Sequence, residues 1–192
     1  MRLLIGTLLV MLVAAIVGLG LTWTTAERGT AFGAVTIGAW TARPKIGTSD
    51  IDPYARASVV RSGDLPVGSG DGITFTAEAD DKGRALDGRC DVEISGITPA
   101  ARYWTLTIYD RQGRVIGNAL NRFGFTSQEI LRGSNGEFAI RLAPRARAGN
   151  WLPTGAIERY TIALRLYDTP VGVATRSQRE APMPAIATVG CP

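Results

Sequence analysis

An uncharged apolar run near the start constrains this chain more than any other feature. From Leu3 to Trp23 there is no charged side chain over 21 residues, and at a helical rise of about 1.5 Å per residue the run spans about 30 Å, the thickness of a bilayer's hydrocarbon core. Arg2 favours a start that stays in the cytoplasm, and Trp23 suits the opposite interface. Residues 1–23 are therefore predicted to be a transmembrane signal anchor. Its residues 3–23 would contact the lipid of the inner (cytoplasmic) membrane, with the rest of the chain in the periplasm.

A cleaved signal peptide is the alternative for the same segment. Such a peptide has an apolar region of about 7–15 residues that ends in small residues, and "TTA" at Thr24–Ala26 would serve as the cleavage site. The length of the run favours the retained anchor. A buried core helix fits less well, because a core helix of this length would show a polar face.

The composition excludes several classes of chemistry. The chain has no histidine, which rules out Ser-His-Asp and Cys-His catalysis and the commonest zinc, copper and non-haem iron ligand sets. We therefore expect no metal site and no cofactor. The net charge of +4 comes almost entirely from scattered arginines without a basic run, so no nucleic-acid partner is predicted. Such a preference for arginine over lysine is typical of a GC-rich bacterial genome.

Two cysteines, Cys90 and Cys191, would lie outside the cytoplasm if the anchor is retained. In an oxidising compartment they are predicted to form a disulfide between a strand and the C-terminal tail, which would pin that tail onto the sheet. A pair of free thiols is the alternative. A redox role is not indicated, because the chain has no CxxC motif.

Between the anchor and the first predicted strand, residues 24–70 are predicted to be a connector with one short helix near 52–62. The part up to Thr48 is small, apolar and glycine-containing, which indicates a linker rather than a core element. Asp52 then supplies an N-cap and Pro53 the first helical position.

After residue 70 the apolar pattern alternates with a period of two, as in half-buried β-strands. The segments "ITFTAEA" and "RCDVEIS" are predicted to pair as an antiparallel hairpin around a long polar loop. The other predicted strands are "RYWTLTIYD", "EFAIRL" and "RYTIALRLYD". Residues 71–192 are thus predicted to form an all-β domain, a mainly antiparallel, jelly-roll-like β-sandwich.

Four side chains on the polar faces of the two best predicted strands are candidate ligand-binding residues: Tyr103, Tyr109, Arg165 and Tyr167. If their strands pair, the arginine and the tyrosines would line a surface able to hold an anionic or sugar-like ligand. The competing interpretation is structural, because aromatic and β-branched residues belong on pleated surfaces. Arg165 has the further option of pairing with Asp110 or Glu158 at a rim.

The "GNWLP" segment supplies two further candidates, Asn150 and Trp151. Gly149 and Asn150 tolerate positive φ angles. Trp151 is expected to close the end of the core, and Pro153 is expected to break the strand ladder.

No catalytic motif accompanies these candidates. The acids Asp80 and Asp81 stand in a turn beside a lysine and form no calcium-loop pattern, so a solvated turn is expected there. The serines occur without a GxSxG elbow or an SxxK pair. We therefore assign no catalytic residue.

Five segments in their order and spacing, "LDGRC", "ARYWTLTIYDRQG", "NRFGF", "GNWLP" and "IALRLYD", resemble the bacterial domain of unknown function 1214. The resemblance covers about Thr74 to the C-terminus and implies a jelly-roll β-sandwich. That family often occurs fused behind a sister domain of unknown function 1254, which implies a separately encoded sister protein as the partner of this anchored chain. No reaction comes with the resemblance. It implies a shared motif set that includes Trp104, Tyr109, Asn150, Trp151, Pro153, Arg165 and Tyr167.

The sequence leaves three functional hypotheses. The first is a periplasm-facing, membrane-anchored β-sandwich that binds a partner protein or a small ligand in the cell envelope without catalysis. The second is an envelope enzyme or enzyme subunit, hydrolase-like, that uses Arg165, the tyrosines and a carboxylate. The third is a purely structural protein whose useful surface is the loop from Asp80 to Gly88.

Overall fold

The computed structural model describes residues 2–27, 33–62, 67–68, 70–171 and 181–191. Within these ranges the helices are α1 (Arg2–Glu27) and α2 (Pro53–Ser62). The strands are β1 (Val35–Ile37), β2 (Trp40–Ala42), β3 (Gly72–Ala77), β4 (Asp91–Gly96), β5 (Tyr103–Asp110), β6 (Gly124–Thr126), β7 (Phe138–Ala143), β8 (Asn150–Pro153), β9 (Tyr160–Tyr167) and β10 (Ala185–Gly190).

The strands form two sheets that enclose one hydrophobic core. The larger sheet has the order β1-β2-β3-β9-β5-β6 and the smaller sheet the order β10-β4-β7-β8. The strand pairs are antiparallel except β7 with β8. Alternate residues of both sheets point inward and are fully buried, among them Phe75, Ile94, Leu106, Ile140 and Leu164. Burial of each such side chain stabilises the fold by about 1.5–3 kcal/mol. The two facing sheets confirm the predicted all-β, sandwich-like fold.

Helix α1 is 26 residues long and carries no charge between Arg2 and Glu27, so it extends about 39 Å. By length and composition it is able to cross a membrane, and a signal sequence near the N-terminus has the same properties. The predicted short helix is also present. The Oδ1 atom of Asp52 accepts the N–H groups of Tyr54 at 2.9 Å and Ala55 at 3.2 Å, which is the N-cap contact that starts α2.

The predicted hairpin between "ITFTAEA" and "RCDVEIS" is wrong, because the two strands belong to different sheets. β3 lies in the larger sheet between β2 and β9, whereas β4 lies in the smaller sheet between β10 and β7. Both edges of β3 are therefore occupied. The connecting segment crosses from one sheet to the other, and its Leu86 is buried in the core between them.

The prediction that the stretch up to Thr48 contributes nothing to the core is also wrong. β1 and β2 form a short hairpin that adds to β3 of the larger sheet. Trp40 is 1% exposed, and its indole N–H donates to the carbonyl of Pro184 at 2.7 Å. A buried indole with a satisfied N–H ties the hairpin to the segment that leads into β10.

The predicted disulfide between Cys90 and Cys191 is confirmed, with a Cα–Cα distance of 4.2 Å. Cys90 lies one residue before β4 rather than within a strand, and Cys191 follows β10 directly. Because β10 pairs with β4, the bond joins the two strands at one end of their shared ladder.

Candidate ligand-binding face

The outer face of the larger sheet carries the predicted arginine and tyrosines together. β5 and β9 pair antiparallel, with Tyr103 opposite Tyr167 and Thr105 opposite Arg165. The alternate residues of both strands are core residues, so the four candidate side chains project away from the core. We call this surface, formed by the outward residues of β3, β9, β5 and β6, the outer face.

Arg165 and Tyr109 form the best-defined contact on the outer face. The guanidinium Nη1 donates to the tyrosine hydroxyl at 2.8 Å, and the guanidinium carbon lies 5.3 Å from the ring centroid. Ala163 occupies the outward position between them on β9 and is only 3% exposed. A small residue at 163 therefore leaves room for the arginine and the tyrosine to meet above it.

Tyr103 and Tyr167 form an aromatic pair on the same face. Their ring centroids are 5.9 Å apart and the rings are tilted by 38°, which is a favourable geometry for two aromatic quadrupoles. Both side chains are half-buried. The pair therefore offers a partly exposed aromatic surface beside Arg165.

The charge of Arg165 is not neutralised by an acid in the described part of the chain. No carboxylate there lies within the 4.0 Å of an ion pair. Asp110, one of the two acids considered as a partner, pairs with Arg114 at 2.8 Å instead. The guanidinium thus meets a neutral hydroxyl and keeps its attraction for an anion.

Hydroxyl groups surround the arginine on this face. Arg165 shares one cross-strand row with threonines of β3, β5 and β6, and the next row adds threonines of β3 and β5. A hydroxyl has one hydrogen to donate and two lone pairs to accept with, and that of Thr76 already donates to the carbonyl of Thr41 at 3.3 Å. These half-buried threonines are Thr74, Thr76, Thr105, Thr107 and Thr126.

A cavity of about 220 Å³ lies at one end of this face. It is lined by Glu78, Arg111, Arg159, Tyr160 and Thr161. Thr161 is the register partner of Tyr109, so the cavity adjoins the contact between Tyr109 and Arg165.

The candidate Asn150 lies elsewhere, in β8 at the edge of the smaller sheet. It is 6% exposed, and its amide is fully used. The Oδ1 atom accepts the N–H of Leu131 at 2.8 Å, while Nδ2 donates to the carbonyls of Leu131 and Ala139. In this position Asn150 completes the backbone hydrogen bonding of the sheet edge. Of Gly149 and Asn150, the glycine has a positive φ angle, at 81°, and the asparagine does not.

Trp151 does not close the end of the core, so that prediction is wrong. Its side chain is half-buried outside the core cluster, and its indole N–H donates to the carbonyl of Ala143 at 3.1 Å. The strand alternates, and Leu152 fills the core instead. Pro153 ends β8 while still paired with Ala143, so it does not break the ladder. Asn150 and Trp151 are therefore not brought together with Arg165.

Asp80 is a structurally important residue that sequence reasoning missed. It was expected in a solvated turn, but it is 2% exposed. Burial by itself would raise the pKa of Asp80, yet hydrogen bonds from the Arg84 backbone and side chain, the Thr188 hydroxyl and the Lys82 N–H lower it to about 2. The available signal was a D-x-x-G-R pattern that occurs twice in the chain.

The outer face has the chemistry of a binding surface. It combines an arginine free to meet an anion, an aromatic pair and rows of hydroxyls. A hydrolytic site needs in addition an activated nucleophile or a general base within hydrogen-bond reach of the reacting atom. On the described outer face, the partner of Arg165 is the hydroxyl of Tyr109.

Fold and face together define a class of protein: a β-sandwich that follows an apolar helix and presents an arginine–tyrosine surface. Residues 71–171 match the family described as "Protein of unknown function (DUF1214)", and the chain belongs to this family. The resemblance read from the motifs is thereby confirmed. Arg165 and the three tyrosines lie within the matched residues.

A solved structure shares this fold. The VPA0106 protein from Vibrio parahaemolyticus is similar at 20% identity with a TM-score of 0.59, over 90% of this chain and 43% of that chain. A putative uncharacterized protein from Burkholderia cenocepacia is similar at 15% identity with a TM-score of 0.42, over 65% of this chain and 31% of that chain. The chain thus spans less than half the length of both proteins. No curated protein matches it.

Proposed function

We propose that the protein is a non-catalytic binding module of the bacterial cell envelope, held at the inner membrane by α1 with its β-sandwich in the periplasm. The apolar helix with Arg2 at its start supports this orientation. The disulfide suits an oxidising compartment. In this proposal the outer face binds a small ligand or a partner protein.

One observation carries the binding role: the Arg165 guanidinium meets a tyrosine hydroxyl instead of a carboxylate. A guanidinium binds carboxylate or phosphate through two parallel hydrogen bonds. Tyr109 already holds the arginine side chain in place, so less conformational entropy is lost when a ligand arrives. We assign Arg165 as the anchor for an anionic group, with Tyr103 and Tyr167 as the adjacent contact surface.

The macromolecular partner we propose is a separately encoded protein that carries the sister domain of unknown function 1254. The resemblance supports this, and so does the length of the similar Vibrio protein, of which this chain covers 43%. The two proteins are expected to co-purify from crosslinked membranes. Their failure to do so would count against this partner.

The membrane orientation has a direct test. Protease added to spheroplasts is expected to degrade the β-sandwich, whereas protease added to intact cells should leave it untouched. The mass of the purified chain distinguishes a retained anchor from a cleaved leader. Protection of the sandwich in spheroplasts would contradict the periplasmic orientation.

Site-specific photo-crosslinking in living cells tests the binding face. A photoreactive residue at Thr105, beside Arg165, is expected to give an adduct, and the same residue at Ser95 should give none. Ser95 is the matched control because it is also half-buried but lies on β4 of the smaller sheet. The change Arg165→Gln should reduce the adduct at Thr105. Equal adducts at both positions, or none at either, would refute the proposed face.

Ala163→Leu tests the same face while leaving Arg165 itself unchanged. The larger side chain occupies the space in which Arg165 and Tyr109 meet, so the adduct at Thr105 should fall as it does for Arg165→Gln. The fold should persist because position 163 points away from the core, and a near-UV circular dichroism spectrum checks this. A normal adduct in Ala163→Leu would show that the arginine–tyrosine contact is dispensable.

A further inference from the structure

Two further arginines continue the outer face beyond the contact between Arg165 and Tyr109. Arg111 follows β5 directly and Arg159 precedes β9 directly. Both line the cavity that contains Thr161, an outward residue of β9. In the described part of the chain neither arginine forms an ion pair.

Charge on this extended face is positive. Glu78 is an acid that lines the same cavity, and against it stand Arg111, Arg159 and Arg165. Two further acids near this end, Asp87 and Asp110, are ion-paired with other arginines. The balance of charge on the face is therefore positive, with one arginine near its middle and two at one end.

The spacing of the arginines selects an extended ligand. Arg159 and Arg165 are six residues apart along one strand direction, about 20 Å at about 3.3 Å per residue. This is a distance between Cα atoms, and the Arg165 side chain leans toward Tyr109. The tyrosine pair lies beyond Arg165, so a ligand that contacts both that pair and Arg159 must be extended. A ligand that uses the whole face must lie along β5 and β9.

The low density of charge argues against a nucleic acid. Each strand of a DNA duplex presents a phosphate about every 3.4 Å along the helix axis, far more closely than these arginines are placed. Between the arginines lie threonine hydroxyls, and the tyrosine pair lies beyond Arg165. Hydroxyls that donate and accept, with an aromatic surface beside them, match a ligand that itself carries many hydroxyls.

Resting on the proposed function, we infer that the outer face binds an extended acidic polysaccharide. Two of its carboxylates pair with Arg165 and with Arg159 or Arg111, and the threonines bond to the sugar hydroxyls between them. A sugar ring packs on Tyr103 and Tyr167. An acidic peptide is the competing ligand, and the experiment separates the two.

The test uses the full chain in nanodiscs of zwitterionic lipid, so that lipid charge does not compete. The probes are two oligogalacturonates, one too short to reach from Arg165 to Arg159 and one long enough, with a neutral dextran and a polyglutamate as comparisons. Tight binding is expected for the long oligogalacturonate alone, and it should weaken as salt is added.

Variants locate the binding on the outer face. Arg165→Gln, and the double change Arg111→Gln with Arg159→Gln, should each raise the Kd for the long oligogalacturonate about tenfold, the loss typical of a charge-assisted contact. Arg141→Gln is the control, because Arg141 is an exposed arginine on the smaller sheet whose charge is paired with Glu93 at 3.2 Å. Its Kd should stay unchanged.

Three outcomes would overturn the inference: equal binding of polyglutamate, equal binding of both oligogalacturonates, or an unchanged Kd in Arg165→Gln. Absence of oligogalacturonate binding would overturn it as well. The proposed function survives any of these results if photo-crosslinking at Thr105 still gives its Arg165-dependent adduct. It fails on its own if that adduct is absent.

Discussion

Two turns with the same D-x-x-G-R pattern have the same local structure in different surroundings. We call residues 80–84 the Asp80 turn and residues 110–114 the Asp110 turn. In each, the Oδ1 atom of the first aspartate accepts the N–H groups two and four residues on, and Oδ2 accepts the arginine Nε–H. The glycine has a positive φ in both, 77° and 74°. Five residues thus encode the turn wherever it stands.

Their surroundings differ in exposure. The side chain of Asp80 is 0% exposed and that of Asp110 is 19% exposed. Hydrogen bonding to Arg114 lowers the pKa of Asp110 as well, but Asp80 has an additional partner, since the Thr188 hydroxyl donates to it at 2.8 Å.

The Asp80 turn covers the free edge of β10. Asp81 accepts the N–H of Ile186 at 2.8 Å and returns its own N–H to the Ile186 carbonyl at 3.0 Å. Arg84 donates to the carbonyl of Thr188 at 3.1 Å. The turn thus supplies the hydrogen bonds that a neighbouring strand would supply, which protects an edge that would otherwise invite pairing with another chain. The comparison teaches that location, not local sequence, makes one turn a strand cap and leaves the other exposed.

The largest loss of stability is expected from removing the disulfide. Without that bond, β10 is held by its pairing with β4 and by the hydrogen bonds of the Asp80 turn. Replacing both cysteines, Cys90→Ser with Cys191→Ser, should lower the free energy of unfolding by about 4 kcal/mol, because the bond closes a loop of about 100 residues. Urea unfolding of the full chain in detergent, followed by tryptophan fluorescence, measures the loss. A loss below about 1 kcal/mol would mean that hydrogen bonds alone hold β10.

The next effect separates the two turns directly. Asp80→Ala should lower the free energy of unfolding by about 3 kcal/mol, because it removes a buried carboxylate and leaves its part-buried donors without their acceptor. Asp110→Ala is the matched variant, and its effect should be less than half as large because its donors reach water. The same urea experiment compares the two. Equal losses of stability in the two variants would show that contact with β10 does not make Asp80 more important than Asp110.

Lowering the pH should also distinguish Asp80 from Asp110, with a smaller change in stability. The pKa of Asp80 is lowered from 3.8 to about 2 in the folded chain, so its ionised form stabilises the fold above pH 4 and that stabilisation is lost as the pH falls toward 2. The pKa of Asp110 is lowered in the same direction. Asp80→Asn should therefore flatten the loss of stability over this range more than Asp110→Asn does. Thermal melts from pH 5 to pH 2 provide the measurement, and identical slopes in wild type and Asp80→Asn would refute it.

The smallest effect concerns the contact that only the Asp80 turn has. Thr188→Val removes a hydroxyl that donates to Asp80 while keeping the shape of the side chain, and should cost about 1 kcal/mol. In an Asp80→Ala background the same change should cost almost nothing, since its acceptor is gone. A double-mutant cycle by urea unfolding gives the coupling energy, and a value near zero would contradict the contact.

Features with a local period were predictable from the sequence. The apolar helix, α2 with its Asp52 cap, and the alternation of β5 and β9 all depend on residues within one turn or one strand. The pairing of Arg165 and Tyr109 on one face followed from that alternation once the strands were neighbours. Whether the face binds a ligand stays a prediction.

Features that depend on distant partners were not predictable. "ITFTAEA" and "RCDVEIS" both alternate as the strands of a hairpin do. In the structure they belong to different sheets, and the segment that joins them buries Leu86 in the core between the sheets. β1 and β2 are three residues each, too short for a period to show. The carboxylate of Asp80 is buried by Thr188, 108 residues away, and no local pattern reports such a neighbour.

The covered edge of β10 also sets an order of events in folding. The Asp80 turn closes within five residues, whereas Asp81 and Ile186 are separated by 105 residues. Local contacts form quickly and long loops close slowly. We expect the turn to be complete, with its carboxylates fixed in place, before β10 arrives. The turn then acts as a template that sets the register of the last strand, and the disulfide locks a position that hydrogen bonds have already chosen.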